Sequence, residues 1–316
     1  MMDHAFLFPG QGSQAVGMGM DLFEKSEFAR KTFLQADEIL GYRLSRICFE
    51  GPEEELKLTF HTQPALLTVS YILFTLWGRQ PLLAAGHSLG EYSALLCAGV
   101  LAYEDALLLV HKRGRYMQEA VPVGRGAMAA LIGADMERVR AVVEAVNLES
   151  EGLPADPAGV RRVVNVANWN SSAQVVISGE KGAVEEAARR LGGKVVFLPV
   201  SAPFHSELMQ PAEERLATDL DRADFSDPKF PVINNWQVRR VTRADEAREG
   251  LKKQVSRPVR WHETMEALLA DPAISGFAEI GSGKVLAGLL KRAAREKERQ
   301  VRVVNIETLA DIEAGQ

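Results

Sequence analysis

The sequence is poor in cysteine, has no excess of positive charge and contains no long uninterrupted apolar run. Its 2 cysteines, Cys48 and Cys97, lie far apart and outside any Cys-x-x-Cys or Cys/His pattern, so the sequence predicts neither a disulfide framework nor a zinc site. The formal net charge of −5 argues against general binding to nucleic acid or to a membrane surface, because both attract a cationic excess. No window reaches the roughly 18 apolar residues that a membrane span requires.

The amino-terminal stretch has no basic segment ahead of a long apolar run and no cleavage-like site. Together with the scarcity of cysteine, this predicts a protein of the reducing cytoplasm. With 316 residues, of which 47% are hydrophobic and 25% charged, the chain can bury a large core. No element typical of oligomerisation is visible, and we expect a monomer.

Short apolar runs alternate with longer segments of helical composition, which predicts an α/β fold with a largely parallel sheet covered by helices. The first run, 5–8, is a predicted strand that ends in a turn at 9–13. A strand at 81–85, a tight turn at 86–90 and a helix at 91–97 form a strand, elbow and helix unit. Further segments of this kind are predicted helices at 19–40, 63–77 and 104–120, and predicted strands near 231–234, 276–280 and 301–306.

Residues 126–200 have a different order of predicted elements, βαββαβ, which is the ferredoxin-like pattern. Its predicted segments are a strand at 126–132, a helix at 135–146, strands at 163–167 and 174–178, a helix at 183–191 and a strand at 194–200. We therefore predict a small ferredoxin-like subdomain at 126–200, inserted into a large domain formed by 1–125 and 201–316.

The turn at 86–90 reads Gly86-His87-Ser88-Leu89-Gly90. Glycines on both sides of a serine, between a strand and a helix, permit a sharp elbow that lifts the hydroxyl clear of the backbone. The elbow also places Ser88 at a helix N-terminus, where the Leu89 N–H is the natural first donor to a developing oxyanion. The alternative is a glycine-lined turn with an incidental serine.

A serine nucleophile needs a base, and the chain has 6 histidines. His87 adjoins Ser88, but neighbouring side chains diverge in an elbow. His205 directly follows the predicted strand ending at 200, and could therefore sit at the carboxyl edge of a sheet, where such sites lie. We choose His205, although a loop histidine with purely structural bonds remains open. The other histidines, which we expect at the surface or in packing, are His4, His61, His111 and His262.

The predicted helix at 104–120 carries apolar residues at helical spacing, and Arg113 falls inside that stripe. A guanidinium that faces the core needs an anionic partner. The spacing leaves two interpretations open: a buried ion pair with an Asp or Glu of this chain, or a clamp for the carboxylate of a substrate.

Taken together, these residues resemble the malonyl-CoA:acyl carrier protein transacylases, and the similarity covers essentially the whole chain. The motifs that carry it are the nucleophile segment at 86–94, Arg113-Gly114 with Met117-Gln118, the histidine segment Pro203-Phe204-His205-Ser206, Gln254 ahead of Pro258-Val259-Arg260-Trp261, and the flanking matches at 8–14 and 283–286. In combination these motifs are highly specific.

The resemblance implies a ping-pong transfer of malonyl from malonyl-CoA to the phosphopantetheine thiol of acyl carrier protein, through a malonyl ester of Ser88. His205 would be the general base, oriented by a backbone carbonyl near Gln254, and the N–H groups of Gln11 and Leu89 would stabilise the oxyanion. No cofactor is implied, since the coenzyme A thioester is a substrate. The large domain would be α/β-hydrolase-like.

The resemblance also assigns Arg113 to the malonyl carboxylate. Leu89 after the serine and Phe204 before the histidine are similar to malonyl-selecting members. One departure concerns Ser172 and Ala173, where the family often has Pro-Gly. The geometry of that loop in the small subdomain therefore stays open, as does the choice between fatty-acid and polyketide synthesis.

Other functions fit the sequence less well. A serine hydrolase or thioesterase would pass the acyl group to water, but no motif supplies a triad carboxylate and Arg113 would have no role. A non-catalytic module that binds carrier proteins would not need an intact site. Residues 10–15 fit a dinucleotide pattern and 281–284 superficially fit a P-loop, yet neither has the required context. No metal-ligand motif occurs, and we expect no metal.

Overall fold

The computed structural model describes residues 3–200 and 202–314. The strands are β1 His4–Phe8, β2 Leu83–Gly86, β3 Gly126–Ile132, β4 Val164–Ser171, β5 Gln174–Glu180, β6 Lys194–Phe197, β7 Val232–Ile233, β8 Arg240–Val241, β9 Gly276–Ile280 and β10 Arg302–Ile306. The helices are α1 Met20–Lys25, α2 Glu27–Leu40, α3 Leu44–Glu50, α4 Glu53–Leu56, α5 Thr59–Trp77, α6 Leu89–Cys97, α7 Tyr103–Glu119, α8 Met136–Ser150, α9 Lys181–Leu191, α10 Gln210–Arg222, α11 Ala244–Gln254, α12 Trp261–Ala270, α13 Val285–Glu296 and α14 Leu309–Ala314, with a 3-10 turn at Glu207–Met209.

The larger sheet has the strand order β10-β9-β1-β2-β7-β8. Its strands pair in parallel except β8, which runs antiparallel to β7. Phe6 and Phe8 pack on one face of β1, Ala5 and Leu7 pack on the other, and all of them are buried. A strand buried on both faces is typical of a parallel sheet covered by helices. The predicted α/β fold with a largely parallel sheet is confirmed.

The carboxyl ends of three neighbouring strands lie at the same edge of this sheet. Phe8 at the end of β1 is in register with Gly86 at the end of β2, and Ala85 is in register with Ile233 at the end of β7. The loop after β1, the elbow after β2 and the turn after β7 therefore meet at one place, as is usual for sites in such sheets.

The smaller sheet is antiparallel, with the order β4-β5-β3-β6. Helices α8 and α9 cover one of its faces. Side chains of β3 alternate between two environments: Ala129 and Leu131 face those helices, while Met128 and Ala130 join the core of the large sheet. From β3 to β6 the elements follow the order β-α-β-β-α-β.

Backbone hydrogen bonds connect the smaller sheet to the segment ahead of α12. Trp169 N donates to Val259 O at 2.9 Å, and Val259 N donates to Ala167 O at 2.8 Å. Strand β4 therefore has a partner outside its own sheet.

The observed helices differ from the predicted ones in informative ways. The predicted helix at 19–40 is divided into α1 and α2, because Ser26 ends the first and its Oγ accepts the Ala29 N–H of the second. Helix α5 begins at Thr59 and includes Pro64. Proline has no N–H, so the carbonyl of Phe60, four residues earlier, instead accepts a hydrogen bond from Nδ1 of His111 at 3.0 Å.

The strand predicted at 194–200 ends at Phe197, because Pro199 cannot donate to a ladder. This strand, β6, lies at the edge of the antiparallel sheet. His205 therefore does not directly follow a strand, and that part of the expectation is wrong. Position 201, where the large domain is predicted to resume, lies outside the described residues, as do 1, 2, 315 and 316.

The loop at Ser172 and Ala173, left open by the sequence, is a tight connection between β4 and β5. Gly133 N donates to Ala173 O at 2.8 Å, and Ser172 Oγ donates to the Glu296 carboxylate at 2.7 Å. The departure from Pro-Gly thus preserves a hairpin and adds a contact to α13. Over 3–200 and 202–314, no helix combines the length and apolar character needed to cross a membrane.

Two helical glycines offer a test of the packing of α7 on α5. A Cβ on Gly114 would lie 2.6 Å from Phe60 Cα, whereas a Cβ on Gly288 of α13 would meet nothing within 4 Å. We expect Gly114→Ala to lower the free energy of unfolding by about 1–3 kcal/mol. Gly288→Ala should raise it by about 0.5–1 kcal/mol, because alanine is the better helix former. Urea unfolding measures both, and equal effects would contradict this close approach of the helices.

Candidate active site

Ser88 occupies a strained elbow between β2 and α6. Its φ of 52° lies in the left-handed region, which non-glycine residues rarely adopt. A Cβ on Gly86 would lie 1.9 Å from Gly90 C, and a Cβ on Gly90 would lie 2.0 Å from Phe8 O. In the loop after β1, a Cβ on Gly10 would lie 2.3 Å from His87 O. The elbow therefore requires glycine at these positions, and its serine is presented at the sheet edge.

His205 lies directly against the serine, with 2.7 Å between Ser88 Oγ and His205 Nε2. Its Nδ1 is 3.0 Å from Gln254 O and 3.1 Å from Arg257 O. Carbonyl oxygens only accept, so Nδ1 carries the hydrogen and Nε2 is left free to accept the serine proton. Burial, reinforced by the positive charge of Arg113, lowers the His205 pKa to about 3. The imidazole is therefore neutral at neutral pH.

Arg113 is buried, with 1% of its surface exposed, and its guanidinium points at the serine. Nη2 donates to Ser88 Oγ at 3.1 Å and to Gln254 Oε1 at 2.9 Å, while Nη1 donates to Gln63 Oε1 at 2.7 Å. All these acceptors are neutral. Among the described residues, Arg113 does not form the buried ion pair that the sequence left open.

Gln254 forms hydrogen bonds with the serine, the histidine and the arginine of the site. Its Oε1 accepts from Arg113, and its Nε2 donates to Ser88 O at 2.9 Å and to Glu91 Oε2 at 2.8 Å. Its backbone carbonyl accepts from His205. One residue thus contacts the serine, the histidine and the arginine.

Three further residues of the site were missed from the sequence: Gln63, Glu91 and Asn235. Asn235 Oδ1 accepts from Ser88 N at 2.7 Å, and Glu91 Oε2 accepts from Asn235 N at 2.9 Å. Glu91 carried a usable signal, because it is the one charged residue in the otherwise uncharged helix α6. Gln63 and Asn235 carried none, since an amide in a buried segment has no fixed meaning in a sequence pattern.

A cavity of ≈120 Å³ opens above the serine. The predicted binding residues Gln11, Leu89 and Phe204 line it, together with Met117 and Met128. Leu89 is the first residue of α6, so its N–H is among those with no acceptor one turn earlier. A larger cleft of ≈560 Å³ lies beside α8, has equal numbers of arginine and glutamate in its lining and contains no serine–histidine pair.

Other histidines lie outside this arrangement. His87 turns away from the serine, as expected, and its Nε2 is 2.8 Å from Asn170 Oδ1. His61, expected at the surface or in packing, is buried beside Tyr42 and Phe60. Among the described residues, no group of three or more His, Cys, Asp or Glu side chains is placed to hold a metal ion.

Comparisons with known proteins agree with this geometry. The acyl transferase domain family matches residues 5–310. The malonyl CoA-acyl carrier protein transacylase of Escherichia coli O157:H7 is 45% identical over 300 residues, which cover 92% of this chain and 93% of that protein. The protein of the same name from Bacillus subtilis (strain 168) is 46% identical over 298 residues, covering 92% and 90%.

Solved structures extend the match to the fold. The malonyl CoA-acyl carrier protein transacylase of Coxiella burnetii superposes with a TM-score of 0.90 at 42% identity, over 99% of this chain and 96% of that one. A malonyl-transacylase in complex with a type II PKS acyl-carrier protein gives 0.90 at 40% identity, over 99% and 98%. The match to the acyl transferase domain, together with this fold and the serine–histidine pair, defines an acyltransferase. The chain belongs to the family of malonyl CoA-acyl carrier protein transacylases.

The buried carboxyl of Glu91 should make stability depend on pH. Burial raises its pKa from 4.5 to about 7. The folded state therefore holds this proton more tightly, and the stability it contributes is complete below about pH 4.5 and lost as the pH rises through 7. From about pH 5 to about pH 8, the unfolding free energy of the unsubstituted protein should fall by about 2–3 kcal/mol more than that of Glu91→Gln.

Urea unfolding at the two pH values measures this difference. Glu54→Gln, at an exposed position of α4, is the matched control and should leave the decline unchanged. A decline that is the same in Glu91→Gln and in the unsubstituted protein would contradict a protonated, buried Glu91.

Proposed function

We propose that the protein transfers the malonyl group of malonyl-CoA to the phosphopantetheine thiol of acyl carrier protein, through an ester on Ser88. The observation that carries this proposal is the buried guanidinium of Arg113, which lies 3.1 Å from Ser88 Oγ and has only neutral acceptors. An acyl group with a terminal carboxylate would supply the missing negative charge. The names of the relatives support the same substrates.

In the first half-reaction, His205 Nε2 takes the proton of Ser88 as Oγ attacks the thioester carbonyl. The carbonyl oxygen becomes an oxyanion, which the N–H groups of Gln11 and Leu89 stabilise. The C–S bond then breaks, and coenzyme A leaves as a thiol with the proton from His205. The short contact between Ser88 Oγ and His205 Nε2 supports this assignment of the base.

In the second half-reaction, the carrier protein's phosphopantetheine thiol occupies the position that coenzyme A has left. His205 accepts the thiol proton while the sulfur attacks the ester carbonyl. The bond to Ser88 Oγ breaks, the proton returns to the serine, and malonyl-carrier protein departs. No metal, redox group or other cofactor takes part in either step.

Selection of malonyl rests on charge and on shape. Carboxylate and guanidinium can form two parallel charge-assisted hydrogen bonds, which a neutral acyl group cannot form. Phe204, 8% exposed, and Leu89 lie at the cavity wall and limit the space around the acyl chain. A small cavity with a cation in its lining favours a short dicarboxylic acyl group.

Water as acceptor, the hydrolase alternative, has less support. The His205 Nδ1 bonds to two backbone carbonyls rather than to a carboxylate, and Arg113 would have no anion to bind. The alternative of a non-catalytic module is disfavoured because His205 and Arg113 both contact the hydroxyl of Ser88.

We extend the proposal to the organisation of the chain. The large domain, 1–125 and 201–316, is α/β-hydrolase-like, and the small subdomain, 126–200, is ferredoxin-like. The strand order β4-β5-β3-β6 with its two helices supports the latter. The protein works as a cytoplasmic monomer that meets no nucleic acid and no membrane.

Trapping of the acyl-enzyme tests the proposed function. Incubation with labelled malonyl-CoA should label Ser88, detected by mass spectrometry of the peptide, and Ser88→Ala should remove the label. Added carrier protein should discharge the label much faster than water does. Rapid discharge by water alone would favour a hydrolase, and no label would favour a non-catalytic module.

Substitution of the cation tests the selection of malonyl. Arg113→Ala should lower kcat/KM for malonyl-CoA by about 10²-fold, the value of a charge-assisted pair, and raise the relative rate with acetyl-CoA. Arg115→Ala is the matched control, because Arg115 lies on the exposed face of the same helix and pairs with Glu119. Parallel losses with both acyl groups would make Arg113 a structural residue only.

A further inference from the structure

The elbow leaves two backbone groups of the nucleophile segment without partners in the sheet. Strand β2 pairs with β7 only at Ala84↔Val232 and Ala85↔Ile233. Beyond these pairs β7 ends and its chain turns toward β8, while the chain after β2 bends sharply at Ser88. The carbonyl of Gly86 and the N–H of Ser88 are therefore beyond the reach of the β7 backbone, and buried backbone groups need partners.

The side chain of Asn235 takes the place of that missing backbone. Its Nδ2 donates to Gly86 O at 2.7 Å, and its Oδ1 accepts from Ser88 N at 2.7 Å. The amide group carries one donor and one acceptor in fixed geometry, as a peptide group does. Asn235 thus continues the β2–β7 ladder by one step through its side chain.

Asn235 is itself held on both sides. Its N–H donates to Glu91 Oε2 at 2.9 Å, and its carbonyl accepts from Arg260 N at 2.9 Å. The residue is 1% exposed. With both backbone groups and both side-chain atoms bonded, its amide cannot rotate without losing several hydrogen bonds.

We infer that Asn235 is a positioning residue for the nucleophile: its side-chain amide holds Ser88 in the left-handed conformation that directs Oγ at His205. This inference rests on the proposed role of Ser88 as the acyl acceptor. It also assigns the Ser88 N–H to Asn235, so that this N–H takes no part in binding the oxyanion. Misplacement of a nucleophile by about 1 Å can cost on the order of 10²-fold in rate.

The neighbouring Asn234 provides a matched control. It is also buried, but its Oδ1 accepts from Gln237 N and Arg239 N, which stabilises the turn between β7 and β8. It makes no hydrogen bond to the elbow. Loss of Asn234 therefore perturbs the same segment without releasing Ser88.

Single-turnover acylation by malonyl-CoA, measured by mass spectrometry, gives two separate quantities: the rate constant for acylation of Ser88 and the fraction of protein molecules that become acylated. Asn235→Ala should slow acylation about 10²-fold at full amplitude and keep the preference for malonyl over acetyl, because Arg113 is untouched. Asn234→Ala should acylate within about threefold of the unsubstituted rate. A normal rate at reduced amplitude in Asn235→Ala, or equal slowing in Asn234→Ala, would reduce Asn235 to a folding role.

Asn235→Asp keeps the volume of the side chain, so it tests whether Asn235 positions Ser88 even if the alanine variant fails to fold. An ionised carboxylate accepts from Ser88 N but repels Gly86 O, whereas a protonated carboxyl donates to Gly86 O as the amide does. Burial favours the protonated form of the new carboxyl. The acylation rate of Asn235→Asp, divided by that of the unsubstituted protein, should therefore rise as the pH falls. Glu91 on α6 faces this position, and Arg113 on α7 and His205 lie beyond Gln254. These groups are present in both proteins, so the ratio removes the pH dependence that the two proteins share.

A ratio that stays flat with pH would overturn the inference. Failure of the proposed function gives a different result, because the unsubstituted protein would then form no acyl-Ser88 at all.

Discussion

A guanidinium buried beside a serine hydroxyl, with only neutral oxygens around it, is the constraint on which the rest of the site depends. Burial of an unpaired cation costs several kcal/mol, and the protein meets that cost without giving Arg113 a carboxylate of its own. The nearest carboxyl in its hydrogen-bond network, that of Glu91, is reached only through the amide of Gln254, and burial raises the pKa of this carboxyl to about 7. The hydrogen bonds of Arg113 among the described residues thus go to neutral acceptors, which fits its proposed role as the partner of the malonyl carboxylate.

The same cation also acts on the base. Its field adds to burial in holding the His205 pKa down, so the residue that we propose to bind the malonyl carboxylate also keeps the imidazole unprotonated and able to accept a proton. Gln254 ties these roles together, because its side chain holds Arg113 and its backbone orients His205. Specificity and base strength are therefore properties of one hydrogen-bonded unit.

Much of this arrangement could be predicted from the sequence. The elbow is predictable because glycine spacing reports a local steric requirement, and Arg113 is detectable because a charge interrupts an apolar stripe. Asn235 was not predictable, since its partners lie 147 and 149 residues away and an amide leaves no periodic signal. His205 is predictable as the base only in part, because the strand expected to lead directly to it ends at Phe197 and its ring is oriented by the carbonyls of Gln254 and Arg257.

The backbone hydrogen bonds of Val259 to Ala167 and Trp169 mean that the small sheet is not an independent module. Arg257, whose carbonyl orients the His205 ring, lies only two residues before Val259. The small sheet therefore anchors the segment 254–259, whose carbonyls orient the His205 ring. It also contributes residues to the wall of the cavity. A chimera that exchanged residues 126–200 with those of a relative would also exchange part of the catalytic alignment, and the two sheets have to be matched as a single unit.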